Sequence, residues 1–259
     1  MNKIHSTAII APGVELAENI EIGAYAVIDE HVKIGAGTII SPHVHITGYT
    51  TIGEENCIYT GAVLGQPAQD RRYKRDMKSF LEIGDRNIIR ECVTLHAAVG
   101  EGEKTVIGNE NMFMAYSHIG HNCIIGNNIC FTNSVGVSGG CVIGDRAVIG
   151  GLTGVHQNVS IGRMAMVGGL GRISYDIPPF VIHGEGVYGV NAVGLRRAEV
   201  PSDVRLIIKT MIRSVFGNTS NLQETVQHLR ETLPNIPEVN EFLDFVSLSG
   251  RRGRQLERK

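Results

Sequence analysis

The stretch IEIGAYAVIDEHVKIGAGTII, residues 20–40, places isoleucine at every sixth position: Ile22, Ile28, Ile34 and Ile40. Two positions before each stands an aliphatic or small residue: Ile20, Ala26, Val32 and Thr38. A fixed short period is the mark of a repeat architecture. The column extends back to Ile4, Ile10 and Leu16 and forward to Ile46, Ile52, Ile58 and Leu64. It then slips by one and resumes at Ile83, Ile89 and Leu95, running on through Ile107, Phe113, Ile119 and Ile125 to Ile173. Its one failure is Glu101, inside VGEGEKT (99–105), which reads as a loop pushed out of the repeat. Residues 65–82 also leave the register. They carry QPAQDRRYKRD, polar and charged, and read as an external loop of the kind that often carries function. Gly follows the aliphatic position at residues 23, 35, 53, 84, 108, 126, 144 and 162, which predicts a sharp corner with a permissive backbone there.

The pattern resembles the hexapeptide-repeat, left-handed parallel β-helix. In that fold three short strands make one triangular coil of roughly 18 residues, and the aliphatic column stacks inside. About nine coils are expected, ending near Gly171, with YDIPPF (175–180) as a turn. Beyond Pro201 the period becomes helical. Ser202 is expected to cap DVRLIIKTMIRSVF, which stops at Gly217. Thr219 or Ser220 is expected to cap NLQETVQHLRETL, and PEVNEFLDFVSL makes a third helix. The basic end, GRRGRQLERK, is expected to fray. The chain thus divides into a β-helix over 1–190 and a helical domain over 191–259.

Composition narrows the function. The 259 residues carry a net charge of −2, which argues against a bulk nucleic-acid binder. No run approaches the roughly 18 apolar residues that span a bilayer, and the start of the chain does not read as a signal peptide. Five cysteines without a CxxC pair suit a reducing cytoplasm better than a disulfide framework. From Leu195 onward there are eleven Lys or Arg against eight Asp or Glu, so the end of the chain is basic and the rest acidic.

Residues 18 apart lie one above another in such a coil. His121 therefore falls beneath Gly139, and Gly139 beneath Gln157. The inward positions belong to Ile119 and Ile125, so His118 and His121, in SHIGHNCIIGN (117–127), are expected on the outer surface.

That segment, with IGDRNIIRECVTLH (83–96), GGLTGVHQN (150–158), MVGGLG (166–171), DIPPFVI (176–182) and GVNAVGLRR (189–197), resembles the acyl carrier protein–UDP-N-acetylglucosamine O-acyltransferases that open lipid A synthesis. The resemblance covers nearly the whole chain. It implies a cytoplasmic homotrimer with sites in clefts between subunits. It implies His121 as general base on the sugar 3-hydroxyl and the Gly139 N–H as oxyanion donor. Gln157 and His118 would position the acceptor, and Asp70 would bind sugar hydroxyls. Gly169 would line the far end of an acyl groove, and Asn191 and Arg197 would face the nucleotide. No cofactor is implied, because the acyl carrier protein brings its own 4′-phosphopantetheine. The chain departs from the family pattern at Gly140, where His is usual, at Ala97–Ala98, where Arg-Gly is expected, and in the shortened segment 183–189. His183, Glu185 and Tyr188 are candidates to compensate.

Rival readings follow from the same residues. An acyl-CoA donor or a 3-amino sugar acceptor would use the same base. A γ-class carbonic anhydrase-like zinc site would need His118, His121 and a third histidine, His96 or His156. Cys123 and Cys141 fall in the small inward column and read as packing residues.

Overall fold

The computed structural model describes residues 1–184, 187–217 and 221–249. Strands of two to four residues alternate with tight corners and stack into three sheets of eleven, nine and eight strands. Every pairing is parallel except the last, between Val181–His183 and Val187–Val190. Successive coils align at the predicted step: Lys3 pairs with Glu21, Glu21 with Ile39, and His118 with Gly136. The three sheets are the sides of a left-handed triangular prism.

The aliphatic column fills the interior. Ile28, Ile46, Leu64, Ile89, Leu95 and Ile119 are fully buried, and Phe113 stacks on Phe131 at 5.0 Å. Full burial of one such side chain is worth roughly 1.5–3 kcal/mol, and it recurs along the column from Ile22 onward, while Ile4, Ile10 and Leu16 in the first coil stay partly exposed. The smaller column lies inside as well, with Ala26, Val32, Thr38 and Thr50 at zero exposure. Cys123 and Cys141 are buried in it too. Where the small column turns polar it forms a ladder. Asn56 Oδ1 accepts from the Asn87 backbone N and Nδ2, Asn87 Oδ1 from Asn111 N, and Asn111 Oδ1 from Ile129 N.

The recurring glycines have a different cause from the one expected. Their φ angles are not positive. A Cβ on Gly23 would lie 2.6 Å from Pro42 N, and one on Gly53 would lie 2.8 Å from Gly84 C, each in the coil above. They are needed for close approach between coils. The left-handed residue comes two positions later, as at Tyr25, Glu55 and Arg86 (φ 59°, 55° and 54°).

Two insertions leave the prism at the corner between the second and third sheets. Strand Val63–Gln66 is followed by strand Phe80–Ile83, and Thr94–His96 by Lys104–Ile107. Tyr49 consequently pairs with Phe80, and Phe80 with Lys104, steps of 31 and 24 instead of 18, and the register then resumes. Coiling also continues past Gly171, through Arg172–Ile173, a bridge from Ile161 to Ile177, and Val181–His183.

Among the described residues the chain ends in four helices: α1 (Ala192–Arg197), α2 (Ser202–Phe216), α3 (Leu222–Thr232) and α4 (Pro237–Ser249). α1 was not expected. The N-cap of α2 is Pro201 and Ser202 is already helical, while Asn221 caps α3 through Gln223 N. The candidate caps Thr219 and Ser220, and the basic end 250–259, lie outside the described residues. Ile208, Met211, Ile212, Leu229, Phe242 and Leu243 pack the helices together, and α2 lies on strand Val187–Val190. Arg163 Nε and Nη2 each bond a Glu241 carboxylate oxygen at 2.9 Å, tying α4 to the coil. Among the described residues no helix is long and apolar enough to cross a membrane.

Candidate functional site

A recess of about 470 Å³ opens at the corner that carries both insertions. Asp70, Arg72, Val99, His121, Asn122 and Gly139 line it, with Gly140, Gln157 and Asn158 above. The sequence-predicted stack of His121, Gly139 and Gln157 is therefore one wall of a cavity, and the 67–79 insertion brings Asp70 to face it.

His121 is held at Nδ1. Asn122 Oδ1 accepts from Val99 N at 2.9 Å and its Nδ2 donates to Val99 O, which sets the amide's orientation. The same Oδ1 lies 2.9 Å from His121 Nδ1, so that nitrogen must be the donor. The neutral ring then carries its lone pair on Nε2, which faces Asp70 Oδ2 at 3.4 Å. The His121 side chain is only 14% exposed. It packs directly on Gly139: a Cβ there would lie 2.8 Å from Cδ2 and nearer still to Cε1 and Nε2. Among the described residues the Gly139 N–H donates to no acceptor.

Asp70 is an anion at any ordinary pH. The Arg72 guanidinium grips it from Nε at 3.0 Å and Nη2 at 2.9 Å, and Arg72 N donates at 2.7 Å. These bonds, the side-chain ones foremost, hold its carboxyl well below the usual carboxylate range, and His121 adds to the effect. Arg72 and Asn122 were not singled out in the sequence. Asn122 had a local signal: Asn is suited to the left-handed corner it occupies (φ 56°).

The other candidates fall elsewhere. His118 sits beside the recess, with Nδ1 bonded to Thr94 Oγ1 at 2.7 Å and its ring edge-on to His96 at 5.1 Å. Burial first, then His96 and His121, push its pKa down to about 4 from the ordinary 6.5. Protonation therefore favours the unfolded chain, and stability present above pH 6.5 is lost as pH falls toward 4. His118→Asn, which keeps a hydrogen bond to Thr94, is expected to recover on the order of 1 kcal/mol of that acid-side loss, a figure discounted for partial exposure. Urea unfolding at pH 7 and 4.5 measures it; parallel curves for both proteins would contradict it. His96 Nδ1 is bonded to Pro67 O at 2.7 Å, and among the described residues no group of three potential ligands is placed to hold a metal ion.

Gly169 lies on the preceding corner, between the first and second sheets, with Gly151 beneath it. Between it and the recess the outer row of the second sheet reads His118, Gly136, Gly154, Arg172. A Cβ on Gly136 or Gly154 would meet nothing within 4 Å, so these glycines leave a trough along the sheet. Exposed Leu152 and Leu170 flank it. Asn191 is a correction to the sequence reading. Its side chain is buried, caps α1 by accepting from Gly194 N, and donates to Met164 O, each at 2.9 Å, so it serves the fold rather than facing a ligand. Arg197 is exposed in the last turn of α1. His183 is buried against Tyr175, 3.0 Å from the hydroxyl, and Glu185 and the Tyr188 side chain lie outside the described residues.

Comparison with known proteins joins this geometry to a family. The chain is 55% identical over 249 residues to the acyl-[acyl-carrier-protein]–UDP-N-acetylglucosamine O-acyltransferase of Chlorobaculum tepidum, covering 95% of this chain and 94% of that one. It belongs to that acyltransferase family. The Chlamydia caviae member is 41% identical, covering 98% of this chain and 91% of its own. Among solved structures, the UDP-N-acetylglucosamine acyltransferase of Bacteroides fragilis superposes with a TM-score of 0.94 at 33% identity, covering 98% of this chain and all of that one. That of Campylobacter jejuni gives 0.92 at 31%, covering 99% and 100%. The family profile described as UDP N-acetylglucosamine O-acyltransferase, domain 2, matches residues 176–254, so the acyltransferase likeness includes the helical end.

Proposed function

We propose that the recess transfers an acyl chain from an acyl carrier protein thioester to the 3-hydroxyl of UDP-N-acetylglucosamine, the first step of lipid A synthesis, and that it does so in the cytoplasm as a homotrimer. One observation carries the reading. The imidazole of His121 is packed on Gly139 and faces a recess, with a donating Nδ1 fixed by Asn122 and an Nε2 left to accept a proton.

In that arrangement His121 Nε2 takes the proton of the sugar 3-hydroxyl as its oxygen attacks the thioester carbonyl. The Gly139 N–H donates to the developing oxyanion. The imidazolium points Nε2–H at Asp70, which Arg72 keeps ionised. Collapse of the tetrahedral adduct breaks the C–S bond, and the imidazolium returns its proton to the departing sulfur. All bonds and protons balance without a resident cofactor. Gln157 and Asp70, which both line the recess, are the side chains assigned to hold the sugar. With Asn191 withdrawn into its cap, Arg197 remains as the candidate on α1 for the diphosphate.

The glycine trough supports the acyl assignment, because it is apolar-flanked and leads from Gly139 toward Gly169. Gly169→Met is expected to shorten the preferred acyl chain by several carbons. Rates across donors of increasing length test this, and an unchanged optimum would leave Gly169 as a corner residue only.

The trimer reading draws on the outer row of the first sheet. Ile39, Cys57, Ile88, Met112, Cys130, Val148 and Met166 succeed one another there through the ladder, and Ile39, Ile88 and Met166 are about two-fifths exposed. A stripe of that length on a lone subunit is an interface waiting for a partner. Sedimentation gives the assembly's mass.

The decisive assay supplies acyl carrier protein thioester with UDP-N-acetylglucosamine or its 3-amino analogue and weighs the products. Acylation of the first supports the reading. Transfer to the analogue alone would make the protein an N-acyltransferase and sink the hydroxyl acceptor.

A further inference from the structure

The 67–79 insertion does more than deliver Asp70. It contains five Lys or Arg and two Asp in a chain whose overall charge is −2. It is also a built platform. Two successive turns close with Tyr73 N donating to Asp70 O and Met77 N to Lys74 O, each at 3.0 Å. The base of the loop is latched by His96 to Pro67 O. Its far end is tied to the 97–103 segment, where Gly102 N donates to Lys78 O and Lys78 N to Glu101.

The basic side chains divide into two sets. Arg72 is committed to Asp70 in the recess, and the Lys78 ammonium sits over the Tyr49 ring, 4.9 Å from its centre. Arg71, Lys74 and Arg75 are exposed, form no ion pair among the described residues, and do not line the recess. Asp76 is the one exposed carboxylate among them. A substrate held in the recess would meet Asp70 and Arg72. These three cations lie exposed on the loop, outside the recess.

We propose that Arg71, Lys74 and Arg75 form the docking surface for the acidic carrier protein that brings the acyl chain. The proposal rests on the carrier thioester being the donor. The carrier's long prosthetic arm lets its folded part stay outside while the thioester reaches Gly139. Charge of this kind at an interface rim acts on encounter rate and salt dependence, and a preformed platform holds it at the mouth of the site.

The test is the triple reversal Arg71→Glu, Lys74→Glu, Arg75→Glu, with a triple Gln variant beside it. At low ionic strength the reversal should raise KM for the carrier thioester roughly tenfold or more, and the Gln variant by less. Added salt should weaken the native protein's use of the carrier, leave the Gln variant nearly unchanged and, by screening repulsion, lower the reversed variant's KM. The KM for UDP-N-acetylglucosamine, and turnover of an acyl-pantetheine thioester lacking the carrier, should stay as in the native protein, which also shows that the fold is intact. An unchanged carrier KM in both variants overturns the proposal. Equal losses with acyl-pantetheine in the Gln variant would place the prosthetic arm on the loop instead. A shift in the nucleotide's KM would place the diphosphate there, and either result overturns carrier docking. Native protein that turns over acyl-pantetheine but no carrier thioester would remove the donor assignment itself, a failure distinct from these.

Discussion

His121→Ala is expected to lower turnover by a factor on the order of 10² or more while leaving the coil folded, the scale of losing a positioned general base. The fold should not notice, because His121 stands outside the aliphatic column and Ile119 and Ile125 keep the interior filled. What disappears is the one group whose lone pair Asn122 aims into the recess. Circular dichroism and sedimentation should match the native protein. A well-folded variant with near-native turnover would remove His121 from the mechanism. Asn122→Ala offers a gentler version of the test, since it frees the ring to rotate without deleting it.

Gly139→Ala should cost nearly as much, for a steric reason. The φ angle of Gly139 is not in the left-handed region, so the backbone tolerates alanine. The obstacle is the imidazole, because the new methyl would occupy space the ring now fills. The ring must swing away from the position that Asn122 and Gly139 now give it, and displacement of about 1 Å at a reacting centre can cost roughly 10²-fold. The two substitutions should be strongly non-additive. Once His121 is alanine the methyl fits, so the double variant should be scarcely slower than His121→Ala alone. Full activity in Gly139→Ala would mean that the ring can step aside, and that its packing on Gly139 has no part in catalysis.

Most of the prism was legible because its cause is periodic. The six-residue column, the slip after Leu64 and the ejection of Glu101 all follow from which side chains the interior must receive. The same arithmetic stacked His121, Gly139 and Gln157. Features set by contacts between coils were less legible. The recurring glycines looked like turn residues and proved to be places where one coil's backbone crowds the next. Asp70 could be suspected of a role, but its meeting with His121 depends on the path of a 13-residue insertion that obeys no period. Arg72, which keeps that carboxylate charged, was hidden among neighbouring arginines. Asn191 looked available to a ligand because a cap and a contact residue have the same polar side chain. Its two ends were already taken up by Gly194 and Met164.

The way the register recovers after each insertion has an evolutionary consequence. Both loops are spliced in at one corner, and the coils above them align as though nothing had intervened. Closing a longer loop adds only about 0.6 kcal/mol for each doubling of its length. Heritable change at that corner can therefore alter which donor or acceptor is welcomed while the stacked interior goes on folding unaltered. Selection acting on chemistry and selection acting on stability fall on different residues of the same coil.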